Sequence, residues 1–324
     1  MYFDVFNGDA DGICALIQLR LDQPLAAQLI TGIKRDIQLL DKFTVTSGDY
    51  ITVLDISLQK NSERVNEFLS RGAHIFYVDH HQSGDIPQHP HLKTLINTDS
   101  AVCTSLLVNQ YLNGQYPLWA ITAAFGDNLN HSAEQLAASL NLSQSDLETL
   151  KDLGIYINYN GYGSCIEDLY FAPDKLYREM AEFQSPFDFI LGNPDIFTQL
   201  KQGYQQDMAN ALRINPEYQS DAVAVYILPD TIWAKRVNGV FGNYLANLHP
   251  ARAHAIITHN NDNDFQVGVR APLAHKTGAD ELCSAFPTGG GRKAAAGINH
   301  LPDDQLAIFI EKFEAFYSRV AGTM

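Results

Sequence analysis

Asp79, His80 and His81 stand consecutively, directly after the apolar run Ile75-Phe76-Tyr77-Val78. That run reads as a buried strand, so an acid and two imidazoles sit where the chain leaves a sheet. Burying a carboxylate there costs on the order of several kcal/mol unless a cation or several donors meet it. For an Asp-His-His cluster the cation that fits is a divalent metal. A turn with solvent-facing histidines is the other reading of the triplet, and the choice depends on whether further acids reach the same place.

Several do. Tyr2 to Phe6 reads as a strand that runs into Asn7-Gly8-Asp9-Ala10-Asp11-Gly12, after which Ile13 to Ile17 begins a helical pattern. Asp9 and Asp11 can aim both carboxylates at one point from such a turn, although alone they read first as an ordinary Asx-rich turn. Ile51 to Leu54 reads as a strand ending at Asp55. Pro117 to Phe125 reads as an apolar helix stopping at Gly126-Asp127-Asn128, where a C-terminal cap accounts for the glycine and leaves the acid unexplained.

The elements that must position these acids alternate in type. Strand candidates at 2–6, 28–31, 51–54, 75–78 and 92–96 have helical patterns between or after them, at 13–17, 61–71 and 102–107. Strands alternating with helices imply a parallel sheet, whose strand C-termini share one edge where ligands bind. Asp9, Asp11, Asp55 and Asp79 all lie at strand ends or just beyond, so the topology would bring them together.

Residues 132–189 read as mostly helical, interrupted by the Tyr- and Gly-rich stretch 156–163. A polar helix at 196–213 reads as a connector, giving domains at 1–192 and 217–324 with a linker at 193–216. The second domain has its own α/β pattern, with strands at 222–228, 253–258 and 265–269 and helices at 239–248 and 279–286. Its notable stretch is Gly289-Gly290-Gly291-Arg292-Lys293, where glycines would let backbone N–H groups approach an anion at the head of a possible helix. The alternative there is a flexible hinge. Arg270 is a second candidate for the same anion, or else a surface arginine.

A chain of 324 residues with 46% hydrophobic and 18% charged residues is expected to form two globular domains. A net charge of -15 argues against a broad basic surface for long duplex nucleic acid, while leaving room for a local site with a bound metal. The cysteines, Cys14, Cys103, Cys165 and Cys283, form no C-x-x-C pair, which suits a reduced compartment. With neither a signal-peptide pattern nor a membrane-spanning apolar run, the expected compartment is the cytoplasm, with no membrane partner.

Along nearly its whole length the chain resembles the DHH phosphoesterase superfamily, in the branch with a C-terminal DHHA1 domain. Asp9-x-Asp11-Gly12, Asp55 after Val53-Leu54, Asp79-His80-His81 and Asp127 in Gly126-Asp127-Asn128 are similar to its motifs, in order. Gly289-Gly290-Gly291 with Ala295-Ala296-Gly297 is similar to the DHHA1 glycine signature. The resemblance implies an α/β parallel-sheet catalytic domain with a smaller α/β substrate domain. It implies two metal ions, usually Mn²⁺, with Mg²⁺ or another divalent ion as alternatives. Asp9 and Asp55 would hold one ion, and Asp11, Asp55, His80 and Asp127 the other, with His81 facing the scissile phosphate and Asp79 counted with His81 as catalytic.

Two positions depart from the family pattern. Asn7, a poorer ligand, stands where a histidine is common, and Arg292 stands where the glycine signature often continues with histidine. The expected activity is hydrolysis of a short oligonucleotide or small nucleotide held between the domains by Arg270, Gly289, Gly290, Gly291 and Arg292. A pAp phosphatase, a cyclic dinucleotide phosphodiesterase, an inorganic pyrophosphatase and a catalytically weakened nucleotide-binding regulator are the alternatives. A homodimer is one possible assembly.

Overall fold

The computed structural model describes residues 1–260 and 264–322, which pack as two units, Met1–Gln202 and Gly203–Met324. The first is built on five parallel strands: β1 (Tyr2–Phe6), β2 (Gln28–Ile30), β3 (Tyr50–Leu54), β4 (His74–Asp79) and β5 (Leu92–Ile96). Their spatial order is β2-β1-β3-β4-β5. The chain leaves β1 for one side and returns across it to the other, so a crevice opens between the carboxyl ends of β1 and β3. In register, Phe6 pairs with Leu54 and Leu54 with Val78. Asn7, Asp55 and Asp79 therefore leave three neighbouring strands at nearly the same level.

The helix α1 (Ala10–Asp22) is buried without a break from Ala10 to Leu19. It packs against α3 (Thr104–Tyr111), α4 (Pro117–Gly126), α6 (Gln144–Asn160) and α7 (Pro173–Ala181), which explains an apolar sequence around most of its circumference. On another side of the sheet, α2 (Leu58–Ser70) presents Leu58, Val65, Phe68 and Leu69 to the core. It starts three residues before the expected Asn61, because the Ser57 hydroxyl accepts from Lys60 N–H and caps it. The Tyr-rich stretch is not a break: α6 continues to Asn160, since Tyr156, Ile157 and Tyr159 are buried, and the chain turns only at Gly161.

In the second unit β6 (Tyr218–Gln219), β7 (Val223–Ile227), β8 (Ala253–His259), β9 (Asp264–Arg270), β10 (Gly289–Gly291) and β11 (Ala295–Pro302) form a sheet in the order β10-β11-β9-β8-β7-β6. Among the described residues, only β7 and β8 pair in parallel there. The glycine triplet, expected in a loop before a helix, forms the edge strand β10 of a hairpin with β11. Gly289 and Gly291 are there for packing, because a Cβ on the first would overlap the Cys283 carbonyl oxygen and one on the second would lie 2.5 Å from Ala296 Cα. Beyond β11, α12 (Leu306–Gly322) places Phe309, Phe313 and Tyr317 in the core at helical spacing. Among the described residues, no helix is long and apolar enough to cross a membrane.

Candidate metal centre

Asp9 caps α1, its Oδ1 accepting from the N–H groups of Asp11 and Gly12 at 3.1 Å each. Asp11, in the first turn, faces the N-terminus of α3, where its two oxygens accept from Thr104 and Ser105 N–H at 2.7 Å. Two main-chain donors at a helix N-terminus are a strong reason for the carboxylate to be ionised. Burial works against them, and the charges of Asp127 and Asp9 join it, so the Asp11 pKa is raised despite the attraction of His80.

Asp55 follows β3 with φ of 60°, a left-handed conformation that Asp tolerates better than most residues. Thr104 Oγ1 donates to its Oδ1 at 3.2 Å. Burial first, then the neighbouring Asp11 and Asp9, push its pKa well above the usual carboxylate range, with His81 acting in the opposite direction. Asp127 arrives from the end of α4. Gly126 serves close packing there: an added Cβ would lie 2.5 Å from Ala10 Cβ and 2.8 Å from the Gly154 carbonyl oxygen. The crossing of α1, α4 and α6 brings Asp127 to the acids of β1 and β3.

His80 is at the middle of this cluster. Its Nδ1 is 2.7 Å from the Val102 carbonyl oxygen, which can only accept, so neutral His80 carries its proton on Nδ1 and a lone pair on Nε2. That Nε2 lies 3.3 Å from Asp55 Oδ1, 3.6 Å from Asp127 Oδ2 and 3.7 Å from Asp11 Oδ2. Three carboxylate oxygens around that nitrogen call for a positive charge among them, which either a proton on Nε2 or a bound metal ion supplies. Three oxygens and one nitrogen make a donor set suited to Mn²⁺ or Mg²⁺, and the carbonyl behind the imidazole fixes the tautomer that a metal needs. The donors that converge here form two groups sharing His80, Asp11-His80-Asp127 and Asp55-His80-His81, and either group could hold a divalent ion.

His81 plays a different part. Its Nδ1 is 2.7 Å from Asp79 Oδ1, and its side chain is 28% exposed while Asp79 is fully buried. Asp79 therefore orients the imidazole and does not face the cluster directly. Asp79 Oδ2 has no partner among the described residues. Cys14 and Cys103, close to these acids, are held as thiols: burial raises both pKa values well, and Asp11 adds to it.

Sequence reasoning missed Lys34. Its ammonium pairs with Asp9 Oδ2 and reaches Asn158 Oδ1 at 2.9 Å and Asp127 Oδ1 at 3.4 Å. Burial alone would lower its pKa, but Asp9, Tyr162 and Asp127 together hold it well above the ordinary lysine value. Lys34 stands in the loop just past the carboxyl end of β2, the same edge that gathers the acids, and that position was the available signal. Asn7 is tied to this loop, its Nδ2 donating to the Lys34 carbonyl oxygen at 3.2 Å.

In the second unit Arg270 donates to Asn243 Oδ1 at 2.6 Å, the Val269 carbonyl at 3.2 Å and the Gly239 carbonyl at 3.2 Å, tying β9 to α10 (Ile232–Leu248). Gly290 has open space where a side chain would be, and the Arg292 N–H donates to Ala295 O at 2.8 Å to close the hairpin.

Solved structures share this architecture. A DHH domain described as a member of a family of ribosomal proteins superposes with a TM-score of 0.63 at 12% identity, over 97% of this chain and 85% of its own. Exonuclease RecJ bound to manganese gives 0.59 at 17% identity over 98% and 90%. The pGpG-specific phosphodiesterase PggH from Vibrio cholerae gives 0.56 at 16% identity over 99% of each chain. No protein-family model and no curated protein matches the chain. These solved structures share the fold of this chain, in which an all-parallel five-stranded sheet is followed by a mixed six-stranded one.

Proposed function

We propose that this chain is a divalent-metal-dependent phosphoesterase that hydrolyses phosphodiester bonds in short oligonucleotides or small nucleotides. One observation carries this most: His80 Nε2 is surrounded by carboxylate oxygens of Asp11, Asp55 and Asp127, a donor set that suits a divalent cation. Mn²⁺ is the ion we favour. Such an ion would polarise a phosphoryl oxygen and acidify water. The chain's own residues supply the rest. Asp79 holds His81 with Nδ1 engaged, leaving Nε2 of an accessible ring to give a proton to a leaving oxygen or take one up. Arg292, close in sequence to the open backbone of Gly290, would offer its guanidinium to a phosphate.

Short substrates are favoured on charge, since a net of -15 offers no long basic track. RecJ and PggH, which share the fold, act on nucleic acid and on pGpG according to their names. The test is hydrolysis of labelled RNA and DNA from dinucleotides upward, plus pAp and cyclic dinucleotides, with Mn²⁺, with chelator and with Asp55→Asn. Turnover of a short substrate that chelation and Asp55→Asn both abolish is the expected result. Turnover insensitive to both would overturn it, and tight nucleotide binding without turnover would favour the regulator.

A further inference from the structure

We infer that Lys34 is a built-in replacement for the second cation of this site, so the chain takes a single divalent ion. This rests on the metallophosphoesterase proposal and goes beyond it, because the resemblance implies two ions. The Lys34 ammonium occupies the Asp9 end of the acidic cluster, touching oxygens of Asp9, Asn158 and Asp127, which come from three separate elements. Both Asp9 oxygens are thereby engaged, Oδ1 by main-chain N–H groups and Oδ2 by the ammonium.

The lysine is held there by its backbone. Its N–H donates to the Gly161 carbonyl at 2.8 Å, and its carbonyl accepts from Asn7 Nδ2 at 3.2 Å. Two residues earlier, the Gly32 carbonyl oxygen occupies the place where a Cβ on Gly8 would stand, so the loop packs directly on the turn that carries Asp9. Asn7 and Lys34 thus form one device. At the position where a histidine would ligate a metal, an amide instead ties down the chain that delivers an ammonium.

The remaining donors agree. Among the described residues, the groups whose ligand atoms converge are Asp55-His80-His81 and Asp11-His80-Asp127, and Asp9 belongs to neither. Asn7 Oδ1 has no partner among the described residues, but a neutral amide oxygen does not offset the repulsion between an ammonium and a dication placed beside it. The geometry favours a mixed pair, one exchangeable divalent ion at His80 and one fixed monovalent charge at Asp9.

Metal counting decides this without reference to turnover. The full chain is dialysed to equilibrium against excess Mn²⁺, and bound metal per chain is measured together with the Mn²⁺ electron paramagnetic resonance spectrum. Wild type should bind about one ion per chain with the spectrum of an isolated Mn²⁺. The double variant Asn7→His, Lys34→Met removes the ammonium, restores an imidazole, and should bind about two, with spin coupling between them. Lys34→Arg keeps the charge and should stay at about one. Two coupled ions in wild type would overturn the inference even if the double variant failed to fold. A folded double variant still holding a single ion would overturn it too. No bound ion in wild type would instead remove the metal proposal beneath it.

Discussion

The two units treat buried charge in opposite ways. In the first, Asp9, Asp11, Asp55 and Asp79 are buried within reach of one another or of His80 and His81, and Lys34 neutralises only one end of the group. In the second, the buried acid and base side chains among the described residues are Asp207, paired with Arg236 at 2.8 Å, and His254, which has no charged partner at all. Burial first, with Arg252 and His249 adding to it, lowers the His254 pKa to about 4, so the fold holds it neutral. One interior therefore gathers acidic side chains around two imidazoles and one ammonium, while the other has discarded charge in favour of a mainly apolar core. Stability alone explains the second. It does not explain the first, which is why we place the proposed chemistry there.

The sharpest way to break this comparison is Asp55→Asn. If the acidic cluster serves a metal, hydrolysis should fall by at least about 10³-fold. The metal-free variant should also melt above metal-free wild type near neutral pH, because a destabilising buried charge has gone. Unchanged turnover with an unchanged melting temperature would remove the contrast between the units.

Asp79→Asn should cost about 10- to 100-fold in kcat by loosening His81, with bound Mn²⁺ per chain unaltered. Loss of metal in this variant would make Asp79 a ligand and not an orienting residue. Arg292→Ala, in the second unit, should raise KM for a dinucleotide by about tenfold and change it less for a longer oligonucleotide, which has other phosphates to hold. An equal loss on both substrates confined to kcat would move Arg292 to the scissile phosphate.

The smallest effect is one of sign. Asp11 and Asp55 have folded pKa values above their unfolded ones, so metal-free protein binds more protons folded than unfolded and loses stability as pH rises from the ordinary carboxylate range through the raised values. His254 has a folded value below its unfolded one, so its contribution, up to about 3 kcal/mol, is present above pH 6.5 and lost as pH falls towards 4. Hydrogen exchange in chelator should show β8 losing protection on acidification and the turn after β3 losing it on alkalinisation. Parallel trends in both places would contradict the opposed treatment of charge.

Much of the first unit was legible because a parallel sheet writes itself as apolar runs ending in polar residues: Asp55, Asp79 and Asp127 end such a run or a helix, and Asp9 and Asp11 open the helix that follows one. Lys34 escaped because a lysine beside Arg35 reads as solvated surface. What identifies it is contact with Asp9 and Asn158, remote in sequence, and no local pattern encodes that. Asn158 was hidden for a related reason, since it lies in the Tyr- and Gly-rich stretch that reads as an interruption in the sequence and is the last turn of α6 in the structure. In the second unit β7, β8 and β9 were legible as the apolar runs at 222–228, 253–258 and 265–269, whereas β11 and α12 went unread, although Phe309, Phe313 and Tyr317 recur at helical spacing. The glycine triplet misled because glycines that permit close packing look in sequence like glycines that cradle an anion.

The backbone of Asp55 bears on how this protein can change over generations. At φ of 60° a glycine would sit more comfortably than an aspartate, and without metal the carboxylate opposes folding as well. Replacing Asp55 by glycine should therefore leave the metal-free chain more stable. Drift in a lineage that had stopped using the site would move downhill at this position, with no compensating change required elsewhere. Loss of the activity is thus an easy evolutionary step for this fold and recovery a hard one, because the returning aspartate would have to be tolerated before it was useful.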